Sequence, residues 1–321
     1  MRHDLSELSA LHPGLRDGAP QPATPIAPGG PEVPRRVRLG MPHLDAGGLS
    51  ENWLFRQAGA LQWEAIADRL GVRTDEIRDA AGTRLYPTVV AVRARYDAPL
   101  AAFGEDDALD FAVEVVPCGR ACAQGRIVAA SGDRRLSLEV LTSFAARGPE
   151  GLRTKHLAPP LADRWAVPPG PEPAIARLAR AARRGQAVDD AFSGPILAAQ
   201  GPAQGELTYQ PSPWADYNGA GLLYFASYVT IADTAARQLL RHRELPGPDW
   251  ALATSAIRRD VYYYDNLPLG SALQATLRLF ETDGTNVVTH VRLSRAEDGR
   301  PMADVIARRT VLPARRTEGV R

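Results

Sequence analysis

The sequence predicts an α+β fold made of two copies of one unit, each a long buried helix followed by antiparallel strands. Three observations support this prediction. The order of a helix and then strands occurs twice in 321 residues, glycine-containing turns separate the strand-like runs, and matching landmarks recur at a nearly constant offset. A buried helix ahead of a run of strands favours a sheet that wraps around that helix.

The first copy starts after Gly47 and Gly48. Apolar residues fall close to helical spacing in residues 49–71, and Gly71 supplies a stop. The residues Ser-Gly-Asp at 131–133 are typical of a hairpin turn between the last two strand-like runs. The four runs are residues 85–96, 109–116, 125–130 and 136–144.

The second copy repeats this order. Residues 219–240 are apolar enough for a long, largely buried helix. The turns at 283–284 and 298–299, both Asp-Gly, separate the strand-like runs that come after it. These runs are residues 256–264, 271–281, 286–294 and 302–312.

Landmarks shared by the two copies indicate an internal duplication. Three pairs match at offsets of 173, 168 and about 166 residues: Gly48-Leu49 with Gly221-Leu222, Tyr96-Asp97 with Tyr264-Asp265, and Gly132-Asp133 with Asp298-Gly299. A lone copy would leave a sheet edge exposed, and pairing two copies extends the sheet. The sequence therefore predicts a double hot dog, in which two hot-dog folds are fused and an antiparallel sheet wraps long central helices.

Domain boundaries follow from composition. Residues 1–36 are predicted to be a disordered tail, because they are rich in proline and have no apolar period. Residues 37–146 form the predicted N-terminal hot dog, 147–205 a linker with one helix, and 206–315 the C-terminal hot dog. The arginines of the linker helix, at 175–186, are either a solvated face or a docking surface for an acidic carrier protein or a phosphate tail.

Composition excludes several classes of function. A formal net charge of +1 gives no global field that would attract nucleic acid or an anionic membrane. The longest uncharged run, residues 217–232, is shorter than the ~18 residues expected of a membrane span. Cys118 and Cys122 lack the partners of a zinc site and are predicted to be reduced, and the N-terminus lacks the pattern of a signal peptide. We therefore expect a cytoplasmic protein without a metal, a nucleic-acid partner or a membrane partner.

Small residues precede both predicted helices. In the first copy, the backbone N–H groups of Gly47, Gly48 and Leu49 could stabilise a negative oxygen at a helix N-terminus. The equivalent segment of the second copy is residues 213–222, which include Asp216 and Asn218. A glycine before a helix is also commonly just a turn.

Two side chains are candidates for catalysis. His43 could act as a general base with Asp45 or Glu51, although a lone histidine beside a proline is more often structural. Tyr86 begins the strand after the first helix, where a tyrosine is usually a packing residue. The tyrosines at 262–264 in the matching strand are interpreted as core and rim aromatics. The sequence contains no phosphate-binding loop, dinucleotide motif or nucleophile elbow.

Several runs resemble a known family. They are GMPHLDAGGLSENWLFRQAGALQWEAI, GTRLYPTVVAVRARYDAPL, WADYNGAGLLYFASYV and YYYDNLPLGSALQATLRLFE. Together they resemble the leinamycin-pathway bifunctional acyltransferase/decarboxylase family over about residues 38–315, and GGLSENWL is the most specific run. The resemblance implies a double hot dog that decarboxylates methylmalonyl-CoA and passes propionyl to the phosphopantetheine of an acyl carrier protein in polyketide biosynthesis. It also implies Tyr86 as the acylated residue.

This implied mechanism explains an unusual nucleophile. A phenol with a pKa of ~10 is scarcely ionised at neutral pH, but decarboxylation of a malonyl thioester yields an enolate that is basic enough to take its proton. The coenzyme A thioester is then the substrate, and no cofactor is bound. Candidate residues to bind the enolate, thioester or carboxylate are His43, Gly47, Gly48, Leu49, Ser50, Asn52, Asp216 and Asn218.

Two alternatives from other classes remain at this point. One is a hot-dog dehydratase or thioesterase that uses His43 with an acid. The other is a non-catalytic module that binds acyl-CoA or an acyl carrier protein. Because a fused pair already mimics a hot-dog dimer, both a monomer and a homodimer are compatible with the sequence.

Overall fold

The computed structural model describes residues 35–148, 151–186, 189–190, 194–195, 202–241 and 250–313. The predicted tail at 1–36 lies outside these residues except for its last two, which belong to strand β1. In the described ranges, every helix is too short or too polar to cross a membrane.

Four helices and fifteen strands are described. The helices are α1 (Glu51–Leu70), α2 (Pro159–Ala162), α3 (Ala174–Arg183) and α4 (Ser227–Leu240). The strands up to the linker are β1 (Arg35–Arg38), β2 (Leu44–Asp45), β3 (Gly48–Leu49), β4 (Tyr86–Tyr96), β5 (Ala108–Gly119), β6 (Cys122–Ser131), β7 (Arg134–Gly148) and β8 (Gly151–Thr154). The remaining strands are β9 (Asp189–Asp190), β10 (Gly194–Pro195), β11 (Gly205–Tyr209), β12 (Thr254–Tyr263), β13 (Leu273–Thr282), β14 (Asn286–Arg295) and β15 (Pro301–Val311).

Eleven of these strands form one antiparallel sheet. Its order is β1-β5-β6-β7-β4-β12-β15-β14-β13-β11, with β8 paired to β7. The two copies therefore meet at the pairing of β4 with β12, which we call the seam. The predicted α+β fold class, with two helix-and-sheet units joined side by side, is confirmed.

The two faces of the sheet carry different helices. Val92, Ala94 and Val261 belong to the core that also contains α1 and α4. Ala91 and Tyr262 instead pack with the apolar side of α3. Because successive residues of a strand point to opposite faces, α1 and α4 lie on the inner face of the sheet and α3 lies on the outer face.

The two long helices begin differently. Ser50 accepts a hydrogen bond from the Trp53 N–H (3.4 Å), so α1 begins at Glu51. The sequence predicted the second helix from residue 219, but α4 begins only at Ser227. The Asn218 side chain binds two backbone N–H groups in the intervening turn, and Gly221 has a positive φ of 65° there, which a continuous helix does not allow.

A buried ion-pair network ties the two helices to the seam. Arg259 on β12 is completely buried, and it donates to Glu51 on α1 (2.6 Å) and to Asp233 on α4 (2.8 Å). Tyr96 also donates to Glu51, at 2.9 Å. A buried charge is tolerated only where it is paired in this way, so the network fixes α1 and α4 against the centre of the sheet.

The predicted linker, residues 147–205, is partly packed on the sheet. Its described residues include two helices, α2 and α3, rather than one, and the short strands β8, β9 and β10. Ile175 and Ala179 of α3 are buried against the outer face, while the arginines of that helix are exposed.

Candidate functional site

A cavity opens where the two central strands diverge. β12 pairs with β4 only from Tyr262 opposite Ala91 to Arg258 opposite Arg95. β4 continues along β7 down to Tyr86, so residues 86–90 extend beyond the seam. A cavity of about 180 Å³ lies beside this extension.

Three segments supply most of the cavity lining. Residues 87–90 of β4 form one side, and residues 263–266, which continue β12, form another. The turn before α4 contributes residues 222–225, with Tyr228 behind them. Further lining residues come from β7, β8 and the end of α3: Ser143, Ala145, Leu152, Thr154 and Arg183.

Five aromatic residues line the cavity: Tyr224, Phe225, Tyr228, Tyr263 and Tyr264. Burial raises the pKa of Tyr224, Tyr228 and Tyr263 above the usual range, so all three phenols stay protonated near neutral pH. The hydroxyl of Tyr263 donates to the Phe225 carbonyl at 2.9 Å. The Arg56 guanidinium lies over the Tyr224 ring, 5.0 Å from its centroid.

Asp216 and the amide of Asn218 shape the turn that leads to α4. Asn218 Oδ1 accepts from the backbone N–H groups of Ala220 (3.0 Å) and Leu222 (3.1 Å). Asp216, which is buried behind the cavity wall, accepts from Tyr209 and from the Ser212 N–H. These local bonds hold residues 222–225 against the cavity.

A second amide and a buried carboxylate hold the opposite wall. The Asn266 side chain bonds both backbone groups of Leu223, at 3.1 and 2.9 Å. Tyr264 donates to the fully buried Asp304 at 2.6 Å, and Asp304 also accepts from His290 (2.7 Å) and Arg292 (2.9 Å). Burial alone would raise the pKa of Asp304, but the hydrogen bonds from His290 and Arg292 outweigh it and hold that pKa below its usual range.

One polar group on the β4 side is not satisfied. The hydroxyl oxygen of Thr88 is buried and has no hydrogen-bond partner within the described part of the chain. Thr88 lies opposite Ser143 in the register of β4 and β7, and both line the cavity. Buried hydroxyls are nearly always bonded in native proteins, so this oxygen is available to a bound molecule.

Three solved structures of similar architecture are described as thioesterases. A protein of Lactobacillus plantarum assigned as an oleoyl thioesterase matches with a TM-score of 0.60 at 13% identity, covering 87% of this chain and 96% of that one. The 12:0-ACP thioesterase of Umbellularia californica matches with a TM-score of 0.60 at 9% identity, covering 87% and 94%. An acyl-ACP thioesterase of Bacteroides thetaiotaomicron gives 0.53 at 12% identity, covering 86% and 97%. No family model matches the sequence, and no curated protein sequence is significantly similar to it.

The chain has the double hot-dog fold. Each of its two units is a central helix with its own antiparallel strands. The match to these neighbours covers 87% of this chain and nearly the whole length of each neighbour. Identities of this size establish the shared fold alone.

Within the double hot dog, the predicted site residues fall into separate groups. Asn218 lines the cavity, and Asp216 supports the same turn from behind. Tyr86 is half-buried and its ring lies 5.0 Å from the Arg84 guanidinium. Tyr86 itself is not among the described lining residues, although the next residue, Pro87, is.

The residues predicted at the start of the first helix lie elsewhere. His43 Nδ1 accepts from the Gly40 N–H at 2.8 Å, and its ring packs on Trp53. Ala46 and Gly47 form the turn of the small β2–β3 hairpin, and Gly48 begins β3 next to the buried Leu49. Of the described lining residues, none comes from this segment, which also contains the helix cap Ser50.

Asn52 joins the two central helices. Its amide donates to the Ala226 carbonyl (3.1 Å) and to the Thr230 hydroxyl (2.9 Å), and it accepts from Arg56 (2.7 Å). Since these bonds occupy both ends of the amide, the structure gives Asn52 a helix-packing role.

Sequence reasoning missed several residues of the cavity. Thr88, Asn266 and Tyr224 were not singled out, and Tyr264 was interpreted only as one of the core and rim aromatics at 262–264. The duplication offered one signal, because Tyr264 matches Tyr96 at the 168-residue offset. In the described residues, His, Cys, Asp and Glu form no group of three or more that could hold a metal ion.

Proposed function

We propose that the protein is an enzyme that acts on acyl thioesters and that the cavity at the diverging end of the seam is its substrate site. The observation that supports this most is the position of the cavity, which lies where the two hot-dog units meet. Its lining includes an unsatisfied hydroxyl and five aromatic residues. The structural neighbours that share this fold are thioesterases.

Hydrolysis of an acyl thioester is the reaction that these neighbours favour. It needs a base that activates water. His43 does not suit this role, because its Nδ1 is engaged by Gly40 and it lies outside the described lining. Asp265 is a carboxylate that lines the cavity, where it pairs with Arg300 at 2.5 Å, and we assign it as the candidate base.

Decarboxylative acyl transfer is the second candidate. It is favoured by the sequence resemblance and by the position of Tyr86 directly before the cavity wall. The apolar part of the lining, which includes Val89, Leu223 and Phe225, favours loss of a charged carboxylate as neutral carbon dioxide. In this reaction the Tyr86 oxygen would bond to the acyl carbon while the thioester C–S bond breaks. The phenol proton would pass to the enolate carbon before this attack, and coenzyme A would leave as the thiolate. An acyl carrier protein thiol would then take the acyl group as the tyrosyl ester C–O bond breaks, and the thiol proton would return to the Tyr86 oxygen.

A product analysis separates the two reactions. The purified protein would be incubated with methylmalonyl-CoA, propionyl-CoA and lauroyl-CoA, and free thiol, carbon dioxide and the intact protein mass would be measured. Propionylation that disappears in Tyr86→Phe supports decarboxylative transfer. Thiol release without an adduct, lost in Asp265→Asn, supports hydrolysis.

Tyr217→Phe is a matched control, because its phenol donates to the Pro268 carbonyl outside the described lining of the cavity. We expect this variant to retain the wild-type product pattern. Failure to convert any of the three thioesters would overturn the proposed function.

A further inference from the structure

The β4 side of the cavity is a backbone edge. Successive side chains of a strand point to opposite faces of a sheet, so a surface formed by side chains of one strand shows every second residue. Residues 87, 88, 89 and 90 all line the cavity, as do 263, 264, 265 and 266 on the other side. Runs of consecutive lining residues indicate that the cavity lies between the edge of β4 and the segment that continues β12, in the plane of the sheet.

The β4 edge is unpaired on this side. Among the described strands, none pairs with residues 86–90 on the side of β12, because the seam ends at Ala91. In an antiparallel strand every second residue directs its N–H and C=O groups to the same neighbour. These groups therefore face the cavity, in the place that a further strand would occupy.

Thr88 marks the same edge. Leaving a buried hydroxyl without a partner is unfavourable, and the Thr88 oxygen is buried beside the free backbone groups of β4 without a partner in the described residues. A molecule that fills the cavity can satisfy both the hydroxyl and the backbone edge.

The opposite end of the seam shows what satisfies such an edge. There β12 extends beyond the seam with residues 254–257, which correspond to 87–90 when the bulges at Ile257 and Val90 are superposed. The chain itself fills that place with the single 3-10 turn Leu100–Ala102, and the Leu100 N–H donates to the buried Ser255 hydroxyl at 2.9 Å. An amide N–H therefore occupies the equivalent position in the other copy.

We propose that the free edge of β4, with Thr88, binds the pantetheine arm of the thioester substrate. The arm is an extended chain with two amides, which match the alternating N–H and C=O groups of a strand edge. One arm amide donates to the Thr88 hydroxyl, as Leu100 donates to Ser255, and the arm lies along residues 87–90. This inference rests on the proposed function and assigns the part of the cavity that recognises the thioester substrate.

A substrate series tests the role of the amides. One acyl group that the enzyme converts would be presented on coenzyme A, pantetheine, N-acetylcysteamine (one amide) and ethanethiol (none). We expect kcat/KM to fall roughly tenfold for each amide removed, the usual size of a net hydrogen-bond effect. Equal kcat/KM values for the pantetheine and ethanethiol esters would overturn the inference and leave the proposed function standing.

The variant Thr88→Val tests the hydroxyl. We expect kcat/KM to fall roughly tenfold for the pantetheine ester and to stay unchanged for the ethanethiol ester. The thermal midpoint should not fall, because a hydroxyl that has no partner in the free protein is removed. An equal loss on both esters would mean that Thr88 does not recognise the arm. Thr276→Val, a strand threonine outside the described cavity lining, is the control.

The same series distinguishes the source of the arm. A pantetheine ester as good as the coenzyme A ester assigns recognition to the arm alone, as a carrier protein presents it. A coenzyme A ester more than tenfold better adds nucleotide contacts and identifies free coenzyme A as the source. Both results support binding of the arm at the β4 edge, as long as the ethanethiol ester is a poorer substrate than the pantetheine ester.

Discussion

The two ends of the seam have the same arrangement of strands, but one end is filled by the chain and the other is not. At each end, one central strand extends beyond its partner: residues 254–257 of β12 at one end and 86–90 of β4 at the other. The first end is filled by the turn Leu100–Ala102, over which the β2–β3 hairpin packs. The second end retains a cavity of about 180 Å³.

The tyrosines at the ends of the two central strands also differ in the role of the carboxylate that each one binds. Tyr96 at the end of β4 and Tyr264 just after β12 each donate to a buried carboxylate, Glu51 and Asp304 respectively. Glu51 belongs to the network that fixes the helices, whereas Asp304 holds a residue that lines the cavity. The comparison teaches that a duplicated scaffold can retain its phenol–carboxylate pairs while one copy closes a gap that the other leaves open.

The largest effect is expected at the closed end, from Glu51→Gln. The change removes one of the two carboxylates that neutralise the completely buried Arg259. We expect a loss of about 3–5 kcal/mol in the free energy of unfolding, measured with chemical denaturant. Glu64→Gln, which removes an exposed partner of Arg35, should cost less than about 1 kcal/mol. Similar losses in both variants would show that the buried network is not special.

At the open end, Asp304→Asn should lower the free energy of unfolding by a smaller amount, about 2–3 kcal/mol at pH 7. The loss is smaller because Arg292 is partly exposed and can be hydrated. The pKa of Asp304 is lowered in the folded protein. Its contribution is therefore present above the unfolded value of ~3.9 and is lost as the pH falls below it toward the folded pKa.

The pH dependence gives this prediction its own control. The unfolding free energy of the wild type should decrease more steeply between about pH 5 and pH 2 than that of Asp304→Asn. Parallel curves for the two proteins would contradict a lowered pKa at this position.

The smallest effect on stability is expected from alanine substitutions at two matched glycines, one near each end of the seam. Gly48 has a φ of 112°, and a Cβ there would lie 2.4 Å from the Leu100 carbonyl oxygen, which is fixed backbone. Gly221 has a φ of 65°, and its Cβ would meet the Arg147 side chain at 3.3 Å, which can move. We expect Gly48→Ala to lower stability by about 2–3 kcal/mol and Gly221→Ala by about 1 kcal/mol. The ratio of their midpoint shifts measures how much tighter the closed end is, and equal shifts would contradict the comparison.

The elements were easier to predict than the site. Helix α1 lies within the expected 49–71 segment, because its period, cap and stop are local. Helix α4 begins at Ser227 rather than 219, because the Asn218 side chain bonds the backbone of a turn that hydropathy alone does not show. Asn218 was a predicted site residue that lines the cavity, whereas Asn52, which has the same side chain, joins two helices.

By itself, the sequence determined that the chain repeats a helix-and-strand unit and forms an α+β double hot dog. It could do so because hydrophobic periodicity and turn residues act over short distances. Only the tertiary structure decided which end of the seam stays open. That depends on where β4 and β12 stop pairing and on which distant segment fills the gap, as Leu100 does beside Ser255. No local pattern contains that information, because the two sides of each gap come from residues more than 150 positions apart.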